Sequence, residues 1–365
     1  IEGREGRYRL RETGELGGRH SVPEPHELAG RGFREGVAPA AADQRRASPT
    51  VTVAVCTLDR RDQLERTLHA LRSLTYPAFE VVVVNGPSTD GTAEMLEGFD
   101  HSLRVATCGV AAIGASRNIA VASAAGDLVA FIDDDAIPPP NWLETLLPAF
   151  DDPLVGAAGG AVFDVPLGRV DWQLCTCTRL GAGNTDSHGP ISRYLGAGAD
   201  PVAYLAGCNM MIRRSALQQV DGFNPLLTGA YDDVDICCRL NDAGWGIAYV
   251  PAAVVRHDRA PNLTRDDQQT IRDPYRILAS RAIFAMQSTV APDETAVVAM
   301  LAESLREWTV FADQQLAAGH LTPDEHQRFV EQAEAGARDG LAAGRGPRLV
   351  TVIPDPPRHL FRPYR

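Results

Sequence analysis

From residue 50 onward, short runs of apolar, β-branched residues alternate with segments that have helical character. The runs at residues 51–56, 79–84 and 128–132 are almost entirely apolar, which predicts strands buried on both faces, and residues 103–106 form a weaker run. The segment 113–125 is rich in alanine and is followed by a glycine, as helices often are. Strands and helices alternating at this spacing predict an α/β fold with a doubly wound, mostly parallel sheet and helices on both faces.

The second half of the chain has a less regular pattern. We expect strands over residues 155–163, 204–212 and 246–250, and a helix over residues 232–243. Residues 166–200 are rich in glycine and predict an irregular loop that covers the substrate. The predicted domains are an N-terminal arm with an expression-tag remnant at residues 1–48, a catalytic domain at 49–260, a helical extension at 261–345 with a break near 320–323, and a Pro- and Arg-rich tail at 346–365.

Three consecutive carboxylates, Asp133, Asp134 and Asp135, directly follow the fourth predicted strand. Their mutual repulsion needs an opposing charge, and hard oxygen ligands suit Mg²⁺ or Mn²⁺. In a parallel sheet this position is the usual ligand-binding edge. An acidic turn that caps a helix is the alternative reading, and some phosphatases also place Asp at a strand end. A P-loop enzyme is excluded because the chain has no GxxxxGK[ST] sequence.

A second group of acids begins the helix predicted at residues 232–243. Asp232 and Asp233 suit the positive end of a helix dipole, so simple capping is one interpretation. Asp235 and Arg239 lie four residues apart and are expected to pair. Asp233 is therefore the better candidate for a general base that takes a proton from a hydroxyl.

Two further side chains are candidates for ligand binding. Arg117 lies early in the alanine-rich helix and would suit a nucleotide base or a diphosphate, although a solvated surface arginine is equally compatible with the pattern. His257 follows a short apolar run and is a candidate metal ligand, with an ordinary half-exposed histidine as the alternative. The hydroxyl-rich turn at residues 88–92 would place a helix N-terminus near a phosphate, or form a simple turn and cap.

Composition narrows the classes of partner. The net charge of −12 argues against a general nucleic-acid binder or a binder of anionic membranes. The seven cysteines include no CxxC pair, which favours free, mostly buried thiols in a reducing compartment. We find no apolar run long enough for a transmembrane helix and no signal peptide, so we expect a cytoplasmic protein, peripheral to a membrane at most.

Five ordered stretches together resemble the family 2 glycosyltransferases of the GT-A fold, over residues 50–258. They read VTVAVCTLDR, FEVVVVNGPSTDGT, GASRNIAVASAAGDLVAFIDDDAIPPPNW, AGCNMMIRRSALQQVDGFN and YDDVDICCRLNDAGWGIAYVPAAVVRH. The resemblance implies an inverting transfer of a sugar, from a UDP-sugar by expectation, to an acceptor hydroxyl with Mn²⁺ or Mg²⁺ as cofactor. It implies Asp233 and Asp232 as the catalytic acids.

The same resemblance implies the other site residues. Those expected at the donor are Cys56, Thr57, Leu58, Arg60, Asn85, Arg117, Asp133 and Asp134. Asp135, Asp133 and His257 would hold the metal, and Gly207, Cys208 and Asn209 would form the acceptor side. The sequence departs from the family pattern at Asn85, where an acid is usual, and in the Cys56–Asp59 loop, which lacks the usual aromatic residue.

Competing functions leave different traces in the sequence. A nucleotidyltransferase would carry a glycine-rich basic loop after the first strand, and residues 56–61 contain no glycine. A dinucleotide-dependent dehydrogenase would carry GxGxxG there, which is absent. A non-catalytic binding module on the same fold stays open. The acceptor is expected to be a saccharide, a lipid-linked glycan or a small molecule, and the C-terminal helices are candidates for a homo-oligomer interface.

Overall fold

The computed structural model describes residues 48–99, 102–184, 196–267, 269–288 and 293–364. The N-terminal arm expected at residues 1–48 lies outside the described residues, apart from its last residue. The described strands are β1 (Val51–Thr57), β2 (Phe79–Asn85), β3 (Leu103–Thr107), β4 (Leu128–Asp133), β5 (Ala136–Ile137), β6 (Val155–Gly159), β7 (Val162–Asp164), β8 (Arg169–Trp172), β9 (Cys175–Cys177), β10 (Gly183–Asn184), β11 (Val202–Tyr204), β12 (Met210–Arg213), β13 (Gly246–Tyr249) and β14 (Val255–His257). The described α-helices are α1 (Arg61–Leu71), α2 (Thr92–Glu97), α3 (Ile113–Ser123), α4 (Trp142–Leu146), α5 (Arg214–Gln219), α6 (Asp232–Asp242), α7 (Tyr275–Gln287), α8 (Glu294–Ala317) and α9 (Pro323–Gly344).

Seven strands form the main sheet in the order β13-β6-β12-β4-β1-β2-β3. β1 runs parallel to β2 and β4, β2 to β3, and β13 to β6, whereas β12 is antiparallel to both of its neighbours. The predicted mostly parallel α/β sheet is therefore confirmed. In this register Thr57 lies opposite Asn85, and Cys56 lies opposite Asp133, so the carboxyl ends of three strands meet at one edge.

Alternate residues of the central strands face two separate apolar cores. On β2, Val81 and Val83 pack with α1 on one side of the sheet, whereas Val82 and Val84 pack with α3 and α6 on the other. A strand covered on both faces must be apolar at every position, which explains the unbroken valine run in the sequence. The predicted helices on both faces are confirmed.

Two expectations for the second half of the chain were wrong. The glycine-rich segment that we expected to be irregular holds β8, β9 and β10, which pair in two small sheets. The strand expected over residues 204–212 is two strands, β11 and β12, separated by a turn in which the Asn209 N–H donates to the Ala206 carbonyl. Such short strands, each with a partner distant in sequence, leave little periodicity to detect.

The C-terminal helices α7, α8 and α9 form the predicted helical region. Gly336 and Gly340 let α9 approach α7 closely, because a Cβ there would lie 2.4 Å from the Tyr275 carbonyl oxygen and 2.5 Å from the Ala279 carbonyl oxygen. The predicted break is also present: α8 ends at Ala317, and a capping box at Thr322 begins α9. In the described ranges, the helices are all too short or too polar to cross a bilayer.

The C-terminal tail was expected to be an arm, and the structure shows that it is bound to the body of the protein. Tyr364 is 4% exposed, its hydroxyl donates to the Leu68 carbonyl, and its N–H donates to the Phe79 carbonyl. Upstream, the Arg214 guanidinium donates to the Pro354 carbonyl at 2.8 Å. Aromatic and carbonyl contacts of this kind have no periodic pattern in the sequence.

Candidate active site

The carboxyl ends of β1, β2 and β4 place polar side chains around one cleft edge. The Thr57 hydroxyl donates to Asp134 at 2.7 Å, which joins the end of β1 to the acidic triplet. At the end of β2, Asn85 accepts a 2.7 Å bond from the Ser88 hydroxyl, so its amide is oriented by the turn that follows. Leu58 lies over the backbone of Gly86, where a Cβ would come within 3.2 Å of the leucine side chain. The predicted donor residues Thr57, Leu58 and Asn85 thus lie at the same edge.

The three aspartates of the triplet have different surroundings. Asp134 and Asp135 are only 3% and 2% exposed, whereas the Asp133 side chain is 37% exposed. One guanidinium nitrogen of Arg60 reaches Asp134 at 2.8 Å and Asp135 at 3.0 Å, so a single cation joins the two buried acids. Arg60 therefore supplies part of the positive charge that the sequence predicts beside the three carboxylates.

Burial and Arg60 act in opposite directions on the two buried acids. Burial raises the pKa of Asp134 to about 7, and the charge of Arg60 opposes this. Burial also opposes ionisation of Asp135, yet a hydrogen bond from His257 and the charges of His257 and Arg60 hold the pKa of Asp135 well below its usual value. Asp135 therefore carries the firmest negative charge of the pair.

His257 brings the predicted metal ligands together. In the pairing of β14 with β5 it lies opposite Ala136, directly beyond the acidic triplet. Its Nε2 atom is 3.0 Å from an oxygen of Asp135 and 3.8 Å from an oxygen of Asp133. Asp133, Cys208 and His257 also offer ligand atoms that all lie within 4.8 Å of one another. Carboxylate oxygens and an imidazole nitrogen fit Mn²⁺ or Mg²⁺, so the donor set is compatible with the predicted metal.

Arg117 joins the acidic triplet to the acids of α6. It is 5% exposed, with its guanidinium 5.8 Å from the Phe131 ring and 5.4 Å from the Phe223 ring. It forms an ion pair with Asp232 and lies 3.7 Å from Asp133. The interpretation of Arg117 as a solvated surface residue is therefore wrong.

Gly207 leaves the space that the guanidinium of Arg117 occupies. A Cβ at position 207 would lie 2.5 Å from Nη2 of Arg117. The same glycine donates its N–H to Asp233 at 3.2 Å. One backbone position therefore contacts both the bridging arginine and the candidate base.

Asp233 has the surroundings of a general base. Its two oxygens accept hydrogen bonds only from backbone N–H groups among the described contacts, those of Val234 at 2.8 Å and Gly207 at 3.2 Å. Burial, followed by the neighbouring charge of Asp232, raises the pKa of Asp233 to about 7, and the charge of Arg117 opposes this. A base performs best when its pKa lies near the working pH.

The other two acids in the first turn of α6 have ionic partners. Asp232 pairs with Arg117, whereas Asp235 is fully buried and accepts 2.9 Å and 2.6 Å bonds from Arg239, which confirms the predicted pair. Tyr231, just before the helix, has a left-handed backbone with φ of 67°. Such conformations in non-glycine residues cost energy and occur often at functional sites.

The structure corrects the expectation for Asn209. Its side chain is 0% exposed, donates to the carbonyls of Ala161 and Ala253, and accepts from the Trp142 indole. With these partners it joins three chain segments and has no surface for an acceptor. Cys208 is buried beside Asp133 and His257, nearer to the metal ligands than the predicted acceptor role implied.

The cysteines are free thiols, as predicted, and six of the seven are buried. Cys56 is the half-buried one, and burial raises its pKa to about 12, so it is a neutral thiol at the donor edge.

Sequence reasoning missed the loop after β14, whose Ala260 and Pro261 carbonyls accept from Arg60 at 3.1 Å and 3.0 Å. A backbone carbonyl leaves no mark in a sequence, although the arginines of this loop are visible there.

Comparisons with known proteins indicate the family of the chain. A family profile described as "Glycosyltransferase like family 2" matches residues 49–275. The chain is 28% identical over 279 residues to a pre-mycofactocin glycosyltransferase of Mycobacterium tuberculosis, across 72% of this chain and 52% of that protein. It is 25% identical over 260 residues to a glucosyl-dolichyl phosphate glucuronosyltransferase of Haloferax volcanii, across 67% of this chain and 81% of that protein. The chain spans about half the length of the mycobacterial relative.

Among solved structures, the fold is similar to a mannosyltransferase from Pyrobaculum calidifontis in complex with GDP-Man and Mn²⁺. The sequence identity is 19%, the TM-score is 0.48, and the alignment covers 81% of this chain and 88% of the other.

Proposed function

The chain belongs to the family described as glycosyltransferase like family 2 and is a glycosyltransferase, and from this premise we propose that it uses a nucleotide-sugar donor and a divalent cation to glycosylate an acceptor hydroxyl with inversion. The proposal rests on one observation: the neighbouring residues 207 and 208 contact the candidate base and the candidate metal ligands, respectively. Gly207 donates to the candidate base Asp233, and the thiol of Cys208 lies beside Asp133 and His257. A donor phosphate and an acceptor hydroxyl bound at these groups would be neighbours.

The chain's own residues account for the acceptor half of the reaction. Asp233 takes the proton of the acceptor hydroxyl as the oxygen attacks, and a pKa of about 7 makes that transfer favourable near neutral pH. Arg117 holds Asp232 by an ion pair and so limits the negative charge beside the base. With Asp232 and Asp235 paired to arginines, Asp233 is the acid in the first turn of α6 whose described partners are backbone N–H groups alone, so its oxygens keep lone pairs for a hydroxyl.

Asp133, Asp135 and His257 would hold Mn²⁺ or Mg²⁺ at the donor half. When bound, such an ion neutralises the charge that develops on a departing nucleoside diphosphate. Arg60 keeps Asp134 and Asp135 in place through its two acid contacts and its carbonyl contacts. Thr57, Leu58, Asn85 and Cys56 are proposed to contact the nucleoside, and UDP is the first nucleotide to test.

Several finer expectations stay predictions. The names of the two relatives refer to different compounds, pre-mycofactocin and glucosyl-dolichyl phosphate, so the acceptor class of this chain is a question for direct assay. Free thiols and a nucleotide-sugar donor favour the cytoplasm or the cytoplasmic face of a membrane as the site of action. We also propose domain boundaries at residues 260 and 345, and a homo-oligomer that forms through α7, α8 and α9.

The test is a thermal-shift titration of the full chain with UDP, GDP and ADP, each with Mn²⁺, with Mg²⁺ and with EDTA. We expect one diphosphate to raise the melting temperature only with a metal, because a ligand stabilises the state that binds it. Asp133→Asn should lose this metal dependence, whereas Asp151→Asn, at an exposed acid outside the site, should keep it. If a nucleotide stabilises the protein equally with metal and with EDTA, the proposed metal dependence is wrong. If no nucleotide stabilises it, the proposed nucleotide-sugar donor is wrong.

A further inference from the structure

Arg265 lies in the loop between β14 and α7, at the end of a tight turn. The Asn262 side chain accepts hydrogen bonds from the Thr264 N–H at 2.8 Å and from the Arg265 N–H at 3.0 Å, and the Asn262 N–H donates to the Arg265 carbonyl. A backbone bridge to Ile271 closes the other side of this loop. The backbone that carries Arg265 is therefore held firmly.

The side chain of Arg265 reaches the acidic triplet through Ala260. The Ala260 N–H donates to Asp135 at 2.8 Å, and the Ala260 carbonyl accepts from Arg60 at 3.1 Å and from Arg265 at 3.3 Å. Two guanidinium groups thus meet at the carbonyl of Ala260, a residue that is hydrogen-bonded to the predicted metal ligand Asp135.

Arg265 has no anion of its own within the part of the chain that the structure describes. Arg60 pairs with Asp134 and Asp135, and the neighbouring Arg259 pairs with Asp164 at 2.8 Å, but Arg265 forms no ion pair with a described carboxylate. Its Nε–H is buried without a hydrogen-bond acceptor. Burial and the charges of Arg259 and Arg60 lower the pKa of Arg265 to about 10. A half-buried cation next to other cations reduces the stability of the ligand-free protein unless an anion joins it.

We infer that Arg265 binds the diphosphate of the donor, beside the metal ligands. The inference rests on the proposed function, because that function brings a diphosphate to this edge. A guanidinium offers two parallel N–H groups to phosphate oxygens, and the unpartnered Nε–H belongs to that donor fork. Binding would supply both the missing acceptor and the missing negative charge. In the described part of this loop, Arg259 pairs with Asp164 and Arg272 pairs with Asp266, which leaves Arg265 available for a phosphate.

Two substitutions and a matched control test this inference in the full chain. Arg265→Met removes the charge and keeps the aliphatic length, and Arg265→Lys keeps the charge without the fork. Arg256→Met is the control, because Arg256 is exposed on β14 while His257, the next residue, points to the site. Binding of UDP, GDP and ADP with Mn²⁺ is measured by calorimetry, and melting temperatures are measured without ligand.

We expect Arg265→Met to weaken binding of the diphosphate that wild type binds by about 10- to 100-fold, the usual range for losing a hydrogen bond to a charged group. Arg265→Lys should recover part of the loss, and Arg256→Met should bind as wild type does. Without ligand, Arg265→Met should melt at a higher temperature than wild type, whereas removal of a merely structural arginine would lower it.

Two results overturn the inference in distinguishable ways. If Arg265→Met binds the diphosphate within about twofold of wild type, Arg265 is not a binding residue and the proposed function stands. If none of the three diphosphates binds wild type with Mn²⁺, both the proposed donor and the role of Arg265 fail.

Discussion

Replacement of Asp233 by Asn should strongly reduce transfer and at the same time stabilise the fold at alkaline pH. The native carboxylate is placed where its charge is unfavourable: burial and the charge of Asp232 raise its pKa from 3.8 to about 7. A group with a raised pKa in the folded state supports stability fully below its unfolded pKa, and that support is lost as the pH rises through the folded value. Asparagine carries no charge and avoids this loss.

The size of the stabilisation follows from three contributions. A difference of about three in pKa corresponds to roughly 4 kcal/mol, which is an upper limit for a fully buried group. Asp233 is only partly buried, so solvent reduces this figure. Asparagine also has one acceptor oxygen, so either the Gly207 or the Val234 N–H loses its partner, at a cost of about 1 kcal/mol. A net gain of about 1–2 kcal/mol above pH 8 is the expected outcome.

The assay compares the free energy of unfolding of wild type and Asp233→Asn at pH 5 and pH 8, alongside transfer rates. The advantage of the variant should be small at pH 5 and full at pH 8, since other titrating groups affect both proteins alike. Transfer should fall by about 10²- to 10⁴-fold with nucleotide binding unchanged, the usual cost of losing a general base. Normal turnover would refute the base assignment, and an equal stability difference at both pH values would refute the raised pKa.

Two further variants test the neighbours of the base. Gly207→Ala should displace the Arg117 guanidinium, since its Cβ would lie 2.5 Å from Nη2, and should lower the transfer rate by about tenfold or more, whereas Gly109→Ala, with nothing within 4 Å, should leave the rate unchanged. Asp235→Asn should lower the free energy of unfolding by about 3–5 kcal/mol in a denaturant titration, because it leaves the buried Arg239 charge unpaired, and a loss below 1 kcal/mol would contradict that role.

The sequence was most informative where a run of one residue type fits only one kind of environment in a folded protein. The valine run of β2 predicted a strand buried on both faces, and Asp133 to Asp135 predicted a charged edge at the end of a parallel strand; both are present. Periodicity could not show that Arg60 neutralises two of those acids, because the contact joins side chains about 75 residues apart. It also could not show that Asn209 is buried, because the sequence does not distinguish an asparagine that binds a ligand from one that bonds two backbone carbonyls and an indole.

Helix α7, which lies beyond the family match, contacts the segment that precedes the candidate base. That match ends at residue 275, where α7 begins. Yet the Gly229 N–H donates to the Ser280 hydroxyl at 3.2 Å, and the ring of Tyr231 stacks on Phe284 at 5.4 Å, so α7 holds the segment that leads into Asp232 and Asp233.

This arrangement explains how Tyr231 keeps its left-handed backbone. Its ring is held by Phe284, and its hydroxyl donates to the Gly181 carbonyl at 2.9 Å, so the strained turn is fixed from two sides. The direction in which α6 presents the base therefore depends on α7 as well as on the family core.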